Sequence, residues 1–337
     1  MRPVLAPPAR TPVSPGPTPS FSVVIAAYNA AATIGEALAS AFAQTAPPQD
    51  VVVCDDGSTD DLLTATAPFA DRITLLRQQN AGEGAAKNAG VRAATAEFAV
   101  FLDADDVFDP ERLEALGELA SARPDLDILT TDALLEVDGA VVRRCYDESW
   151  TFDVEDQRAA ILERNFVFGL AAVRRERFLA VGGFETSLLY AADWDLWSRL
   201  ILDGSRAGLV VVPLATYRLR STSLSAQRPA LLRGRCSVLE RSLARRDLAP
   251  AERPRAEEAL AANLRAAAIA EAQQSLAQGG RGARSAALRL ATATAIPLRT
   301  RVKAVAAAAA PRLAASLLAR ERDRAGVPGP AGVRLPP

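Results

Sequence analysis

The sequence predicts an α/β domain built on a mostly parallel, Rossmann-like sheet flanked by helices, followed by a helical C-terminal segment. Three observations predict it. From Phe21 onward, short apolar runs alternate with amphipathic helical stretches, polar clusters stand directly after the apolar runs, and past Ser225 the composition turns rich in Ala, Arg and Leu. Ahead of the domain, residues 1–20 carry prolines at positions 3, 7, 8, 12, 15, 17 and 19. They read as a disordered leader without the continuous apolar stretch of a signal peptide.

Ser22 to Ala27 is the first expected strand. Thr33-Ile34-Gly35-Glu36 has the form of a capping box, and Ile34, Ala37, Leu38, Ala41 and Phe42 then trace one helical stripe that Pro47-Pro48 ends. Val51 to Cys54 is the second strand, and Ser58 is placed to cap a helix starting near Asp60. A strand over Ile73 to Leu76, a helix over Glu83 to Ala94 and a strand over Phe98 to Leu102 continue the alternation. Asp109-Pro110-Glu111 opens a helix reaching about Ala122, because Pro suits the first helical position. Ile128 to Cys145 reads as two strands joined through Asp138-Gly139, a favoured hairpin turn. A helix from Ala192 carries Leu196, Trp197, Leu200 and Ile201 on its apolar side, with Gly204 after its end, and Leu209 to Val212 is a late strand. Residues 226–325 read as Ala/Arg-rich helices broken by prolines and by Gly279-Gly280, and 326–337 as a loose tail.

The 337 residues include 39 Lys+Arg, 40 Asp+Glu and no histidine. The missing imidazole excludes a Ser-His-Asp hydrolase, a His general base and His-held zinc or haem. Cys54, Cys145 and Cys236 lie far apart with no CxxC spacing, so neither a zinc ribbon nor a disulfide framework is expected. A near-neutral charge speaks against a nucleic-acid partner, whose phosphates demand a basic surplus. No run approaches the roughly 20 apolar residues of a membrane span, and the expected location is cytoplasmic. What remains is carboxylate, arginine, amide and metal chemistry.

In a parallel sheet, ligands bind beyond the carboxyl ends of the strands. Four polar groups stand there: Ala27-Tyr28-Asn29, Asp55-Asp56-Gly57-Ser58-Thr59-Asp60, the stretch from Asn80 to Gly90, and Asp103-Ala104-Asp105-Asp106. Taken alone, Asp-Gly-Ser-Thr-Asp is equally an ordinary strand-to-helix turn with an N-cap. The last group is equally a metal-free acidic turn, but its oxygen ligands suit Mg²⁺ or Mn²⁺.

In their order and spacing, Ser22-Val-Val-Ile-Ala-Ala-Tyr-Asn29, Cys54-Asp-Asp-Gly-Ser-Thr-Asp60, Asn80-x-Gly82 with Lys87-Asn88-x-Gly90, and Phe101-Leu-Asp-Ala-Asp-Asp106 resemble the family 2 inverting glycosyltransferases. These have the GT-A fold of the nucleotide-diphospho-sugar transferase superfamily. Gly182-Gly183-Phe184-Glu185 and Ala192-Asp-Trp-Asp-Leu-Trp197 are similar to that family's acceptor-side segment, so that the resemblance spans about residues 20–225. It implies a GT-A domain over 21–225, with a nucleotide-sugar half at 21–109 and an acceptor half at 110–225. The implied activity moves a sugar from a nucleoside-diphosphate sugar, a UDP-sugar first, to a saccharide or lipid-linked acceptor in cell-envelope or exopolysaccharide synthesis.

By the same resemblance, Asp56 would hold the nucleotide base, with Ala27 and Asn29 in the same wall and Gly57 and Ser58 adding backbone amides. Lys87 stands where the family usually has Arg, which exchanges a planar fork for a point charge. Asp103 and Asp105 form the DxD element, Asp105 as the metal ligand and Asp103 as a metal or ribose contact. Asp193 would be the catalytic base, and Ala192 replaces a frequent Glu. Arg220 follows Tyr217-Arg218-Leu219 where the family often has His; it would pair with the diphosphate and weaken the dependence on metal. The rival readings are a nucleotidyltransferase, for which Ala26 to Ala30 lacks a Gly-rich basic loop, and a catalytically degenerate nucleotide-sugar-binding module. Helices in 226–325 are expected to be solvated and packed on the catalytic domain, with peripheral contact to the inner face of the cell membrane as the alternative.

Overall fold

The computed structural model describes residues 19–146, 151–153, 155–219, 227–277, 282–292 and 298–309. Most of the leader, Arg220 and the tail from 326 lie outside the described residues. The first half runs β1 (Phe21–Ala27), α1 (Ile34–Phe42), β2 (Asp50–Asp55), α2 (Leu62–Thr66), β3 (Thr74–Arg77), α3 (Glu83–Ala93), β4 (Phe98–Phe101) and β5 (Val107–Phe108). The second runs α4 (Arg112–Ala122), β6 (Ile128–Val137), β7 (Ala140–Arg144), α5 (Gln157–Glu163), β8 (Ala172–Arg174), α6 (Arg175–Ala180), α7 (Ala192–Leu202) and β9 (Ala207–Leu219). Helices α8 (Arg228–Leu243), α9 (Glu252–Ala277), α10 (Gly282–Thr292) and α11 (Leu298–Ala309) follow.

The sheet order is β3-β2-β1-β4-β8-β6-β9-β5, with β7 on β6. Strands β1 to β4 are mutually parallel, whereas β8 pairs antiparallel with both β4 and β6. Strands β1 and β4 are almost wholly buried because helices cover both faces, which is why they read as unbroken apolar runs rather than as alternation. Their side chains nonetheless split by parity. Val23 and Ile25 join a core with α1 and α4, while Val24 joins one with α3, α7 and α8.

Three local expectations are corrected. Thr33 makes no side-chain cap; its hydroxyl donates to the Ala30 carbonyl at 3.3 Å. The amides of Thr33 and Ile34 already donate to that carbonyl, so a backbone turn has replaced the capping box. Ser58 does not cap a helix either, because its Oγ accepts from the Asn29 amide at 3.0 Å and α2 starts only at Leu62. The late strand extends to thirteen residues, Ala207–Leu219, paired along β6.

The pattern predicts no element between Cys145 and Ala191, where α5, β8 and α6 form. These are short, and α5 is buried on most of its surface, so neither a helical nor a strand period emerges from the residue types. Helix α8 sends Val238 and Leu239 into the core that holds Trp194 and Trp197. Helix α9 is tied to α5 by Arg158, whose guanidinium meets Glu252 at 2.7 and 3.0 Å. All three cysteines are buried.

Candidate active site

The turns after β1 and β2 are joined through one amide side chain. Asn29 has φ +52°, a left-handed conformation that Asn tolerates better than most residues. Its Oδ1 accepts from the Thr59 amide at 2.8 Å and the Thr59 hydroxyl at 3.2 Å. Gly57, at φ +78°, leaves no room for a Cβ, which would stand 2.9 Å from the Asn80 nitrogen. The loop after β3 therefore lies directly on this turn. Asp56 anchors that loop, accepting from Gln78 Nε2 at 2.7 Å and from the amides of Ala81 and Gly82 at 3.0 and 2.8 Å. A carboxylate offers about four acceptor positions, so one remains. Ala27 closes the wall at the end of β1 and is buried.

The second cluster centres on Lys87. From α3 its Nζ reaches Glu83 at 2.5 Å and Asp103 at 2.8 Å, and the rings of Phe101 and Phe184 lie 5.6 and 5.8 Å away. Burial acts to discharge this amine, but Asp103 and Glu83 outweigh it and hold its pKa above the usual lysine value. Asp103 and Asp105 are both half-buried at the carboxyl end of β4. Asp106 beside them is buried, with one oxygen accepting from the Arg218 amide at 2.7 Å; burial and then Asp103 raise its pKa well above the ordinary range.

Among the described residues, no group of three or more His, Cys, Asp or Glu is arranged to hold a metal ion. Asp103 and Asp105 provide two hard carboxylates, one of them already paired with Lys87. That fits a Mg²⁺ or Mn²⁺ that keeps the rest of its shell for water and phosphate oxygens, and does not fit a closed protein cage.

Asp193 stands in the first turn of α7, just after Ala191 at φ +58°. A left-handed alanine costs of order 1–2 kcal/mol, and such strain gathers at functional sites. Asn165 donates to Asp193 Oδ2 at 2.9 Å. Burial pushes this carboxyl above its usual 3.8, against the Trp194 amide, Lys87 and Arg235, while Glu83 adds to the rise. Lys87, ion-paired with Asp103, thus also acts on Asp193, where it opposes the effect of burial. Asp195 differs: it is buried and already taken by Arg199 at 2.8 Å and Arg241 at 2.9 Å.

Glu83, Asn165 and Arg235 are absent from the sequence prediction. Arg235 lies on α8, outside the motif-bearing stretch. Burial, with Asp193 opposing, pulls its pKa down to about 10, and it forms no hydrogen bond or ion pair with a described residue. Nothing in its local sequence marks it. Glu83 is legible afterwards as the i, i+4 partner of Lys87.

Residues 22–179 match the family model described as glycosyl transferase family 2. Over these 158 residues, just under half of the 337, the chain is similar to the family 2 glycosyltransferases. The domain is similar to the succinoglycan biosynthesis protein ExoO of Rhizobium meliloti, 31% identical over 219 residues, which are 61% of this chain and 63% of that protein. The curated relatives it first matches are covered over 32% to 63% of their own length.

Among solved structures, the chain resembles Staphylococcus aureus TarS 1–349 in complex with UDP. That match has a TM-score of 0.60 at 18% identity, over 91% of this chain and 92% of that one. The mannosyltransferase PcManGT of Pyrobaculum calidifontis, in complex with GDP-Man and Mn²⁺, matches with a TM-score of 0.57 at 23% identity, over 90% and 87% of the two chains. The shared fold is the GT-A fold. Coverage of 91% of this chain takes the likeness past residue 225 into the C-terminal helices.

Proposed function

We propose that this protein is an inverting glycosyltransferase. In this reading it moves a sugar from a nucleoside-diphosphate sugar, a UDP-sugar first, to the hydroxyl of a saccharide or lipid-linked acceptor on the cytoplasmic side of the membrane, in exopolysaccharide or cell-envelope synthesis. The observation that carries it is the Asp193 carboxyl, oriented by Asn165, raised by burial and acted on in the opposite sense by Lys87, which is ion-paired with Asp103. The family match and the succinoglycan-related relative support the class of reaction.

Asp193 takes the proton of the acceptor hydroxyl as that oxygen forms its bond to the anomeric carbon, and the bond from that carbon to the diphosphate breaks. The neighbouring carboxylate, Asp195, is occupied by two arginines and is not free to act as a nucleophile. One displacement with one base inverts the anomeric centre. The nucleoside lies along Ala27, Asn29, Asp56, Gly57 and Ser58, with the remaining acceptor position of Asp56 taking a base N–H. A divalent ion on Asp105, assisted by Asp103, would neutralise charge on the departing diphosphate. Lys87 and Arg235 supply positive charge of the same sense and Arg220 would add to it, which lessens the dependence on metal.

A thermal-shift panel of UDP-, GDP-, dTDP- and CMP-sugars, each with and without Mn²⁺, tests the donor class, because a ligand that binds only the folded state raises the melting temperature. One nucleotide class should give a shift that Asp105→Ala reduces; no shift with any donor would sink the proposal. The raised carboxyl gives a pH test. A base must be ionised, so kcat/KM should fall on the acid side with a midpoint above the 3.8 of an ordinary aspartate. A limb at or below 3.8 would remove Asp193 from that role.

A further inference from the structure

We infer that α10 and α11 form a docking surface for an anionic lipid bilayer. Positions 272–320 contain no Asp or Glu and eight Lys or Arg. The whole chain is formally −1, so this stretch of +8 stands against −9 in all the rest. Charge is segregated along a chain whose total conceals it.

The packing of these helices is inverted. Ala272 on α9, Ala291 on α10 and Ala304 on α11 form one buried cluster; Ala287, Ala307 and Ala308 form another with Leu276. On α10 and α11 the described inward side chains are alanines, while Leu288 is 50% exposed, Val302 61% and Val305 57%. A helix packed on a soluble core normally does the opposite. Arg284, one turn before Leu288, is exposed, as is Lys303 between the two valines. Arg301 donates to the Ala291 carbonyl at 2.9 Å and holds α11 to α10.

Exposed aliphatic side chains interleaved with basic ones, in a stretch of sequence without acidic residues, match an interfacial surface that buries its apolar face among lipids while cations meet anionic headgroups. A nucleic acid would use the charge but would gain nothing from Leu288, Val302 and Val305. The negative remainder of the chain is repelled by the same headgroups, which orients the protein with α10 and α11 against the bilayer. The inference is independent of the proposed chemistry; only the choice of the cytoplasmic leaflet rests on it.

The test is flotation of the full chain with vesicles of phosphatidylcholine alone or mixed equally with phosphatidylglycerol. The protein should float with the mixed vesicles and not with the neutral ones. Binding should fall at least about tenfold when salt rises from about 0.1 M to about 1 M, as the Debye length shrinks from about 10 to about 3 Å. The pair Arg284→Glu with Lys303→Glu, and separately Val302→Ser with Val305→Ser, should each reduce binding about tenfold; both pairs change exposed residues, and a circular-dichroism melt checks the fold. No flotation, equal flotation with neutral vesicles, or indifference to both pairs overturns the inference. So does equal, variant-sensitive affinity for a duplex oligonucleotide. Nucleotide binding measured on the same samples separates loss of this surface from failure of the catalytic reading.

Discussion

Asp193→Asn should lower transfer by about 10³-fold, within the range for loss of a general base, without lowering the melting temperature. The side chains are nearly isosteric, and the carboxamide oxygen can still accept from Asn165. The sign of the stability effect follows from the raised carboxyl. Its folded pKa lies above the unfolded value of 3.8, so the unfolded state holds fewer protons between the two and folding is weakened as pH climbs through the folded pKa. At neutral pH the wild type therefore carries a buried charge that the amide does not, and the variant should melt at the same temperature or higher. Initial rates of nucleoside-diphosphate release and a melt on the same preparation check both halves. Retained activity, or inactivity accompanied by a clearly lowered melting temperature, would remove Asp193 from the base role.

Gly183→Ala should cost about 3 kcal/mol of stability and much of the activity, because it breaks two requirements at once. Gly183 has φ +73°, and a Cβ there would collide with Asn88 Oδ1. A non-glycine residue in that region costs of order 1–2 kcal/mol, and breaking buried hydrogen bonds adds about 1–3 kcal/mol. The bonds at stake clasp the Phe184 backbone: its amide donates to Asn88 Oδ1 at 2.7 Å, and its carbonyl accepts from Asn88 Nδ2 at 2.9 Å. From the other side, Arg199 of α7 donates to the Gly183 carbonyl at 2.6 Å. The Gly183-Phe184 segment thus locks α3, which carries Lys87, to α7, which carries Asp193. Urea unfolding of Gly183→Ala, Asn88→Ala and the double variant should be non-additive, since both substitutions break the same clasp. Additive losses would contradict a shared clasp.

The parts of the site that were legible in the sequence are those whose chemistry is local. Strand β1 is a buried apolar run, and Asp103-Ala104-Asp105-Asp106 follows directly on β4, so a few consecutive residues announce both the element and its polar end. Ser58 misled because a hydroxyl before a helix has the residue type of a cap, while its actual partner is an amide 29 positions earlier. The C-terminal helices were legible as helices, yet their composition gives no hint that α8 enters the core around Trp194 and Trp197 or that Arg235 acts on Asp193.

By itself, the sequence determined that the chain forms a β-α domain with carboxylates at the strand ends, and that without histidine a carboxylate is the natural base. Apolar periodicity and residue chemistry require no knowledge of distant neighbours. Only the tertiary structure decided which carboxylates are spent and which are poised. Asp195 is consumed by Arg199 on its own helix and Arg241 on another, whereas Asp193, two positions earlier, is half-buried and meets the Asn165 carboxamide and the Trp194 amide. The physical reason is that a carboxyl group's charge state depends on its desolvation and on the charges packed around it. Here those come from α3, α8 and the segment at Asn165, which chain order keeps apart and only folding brings together.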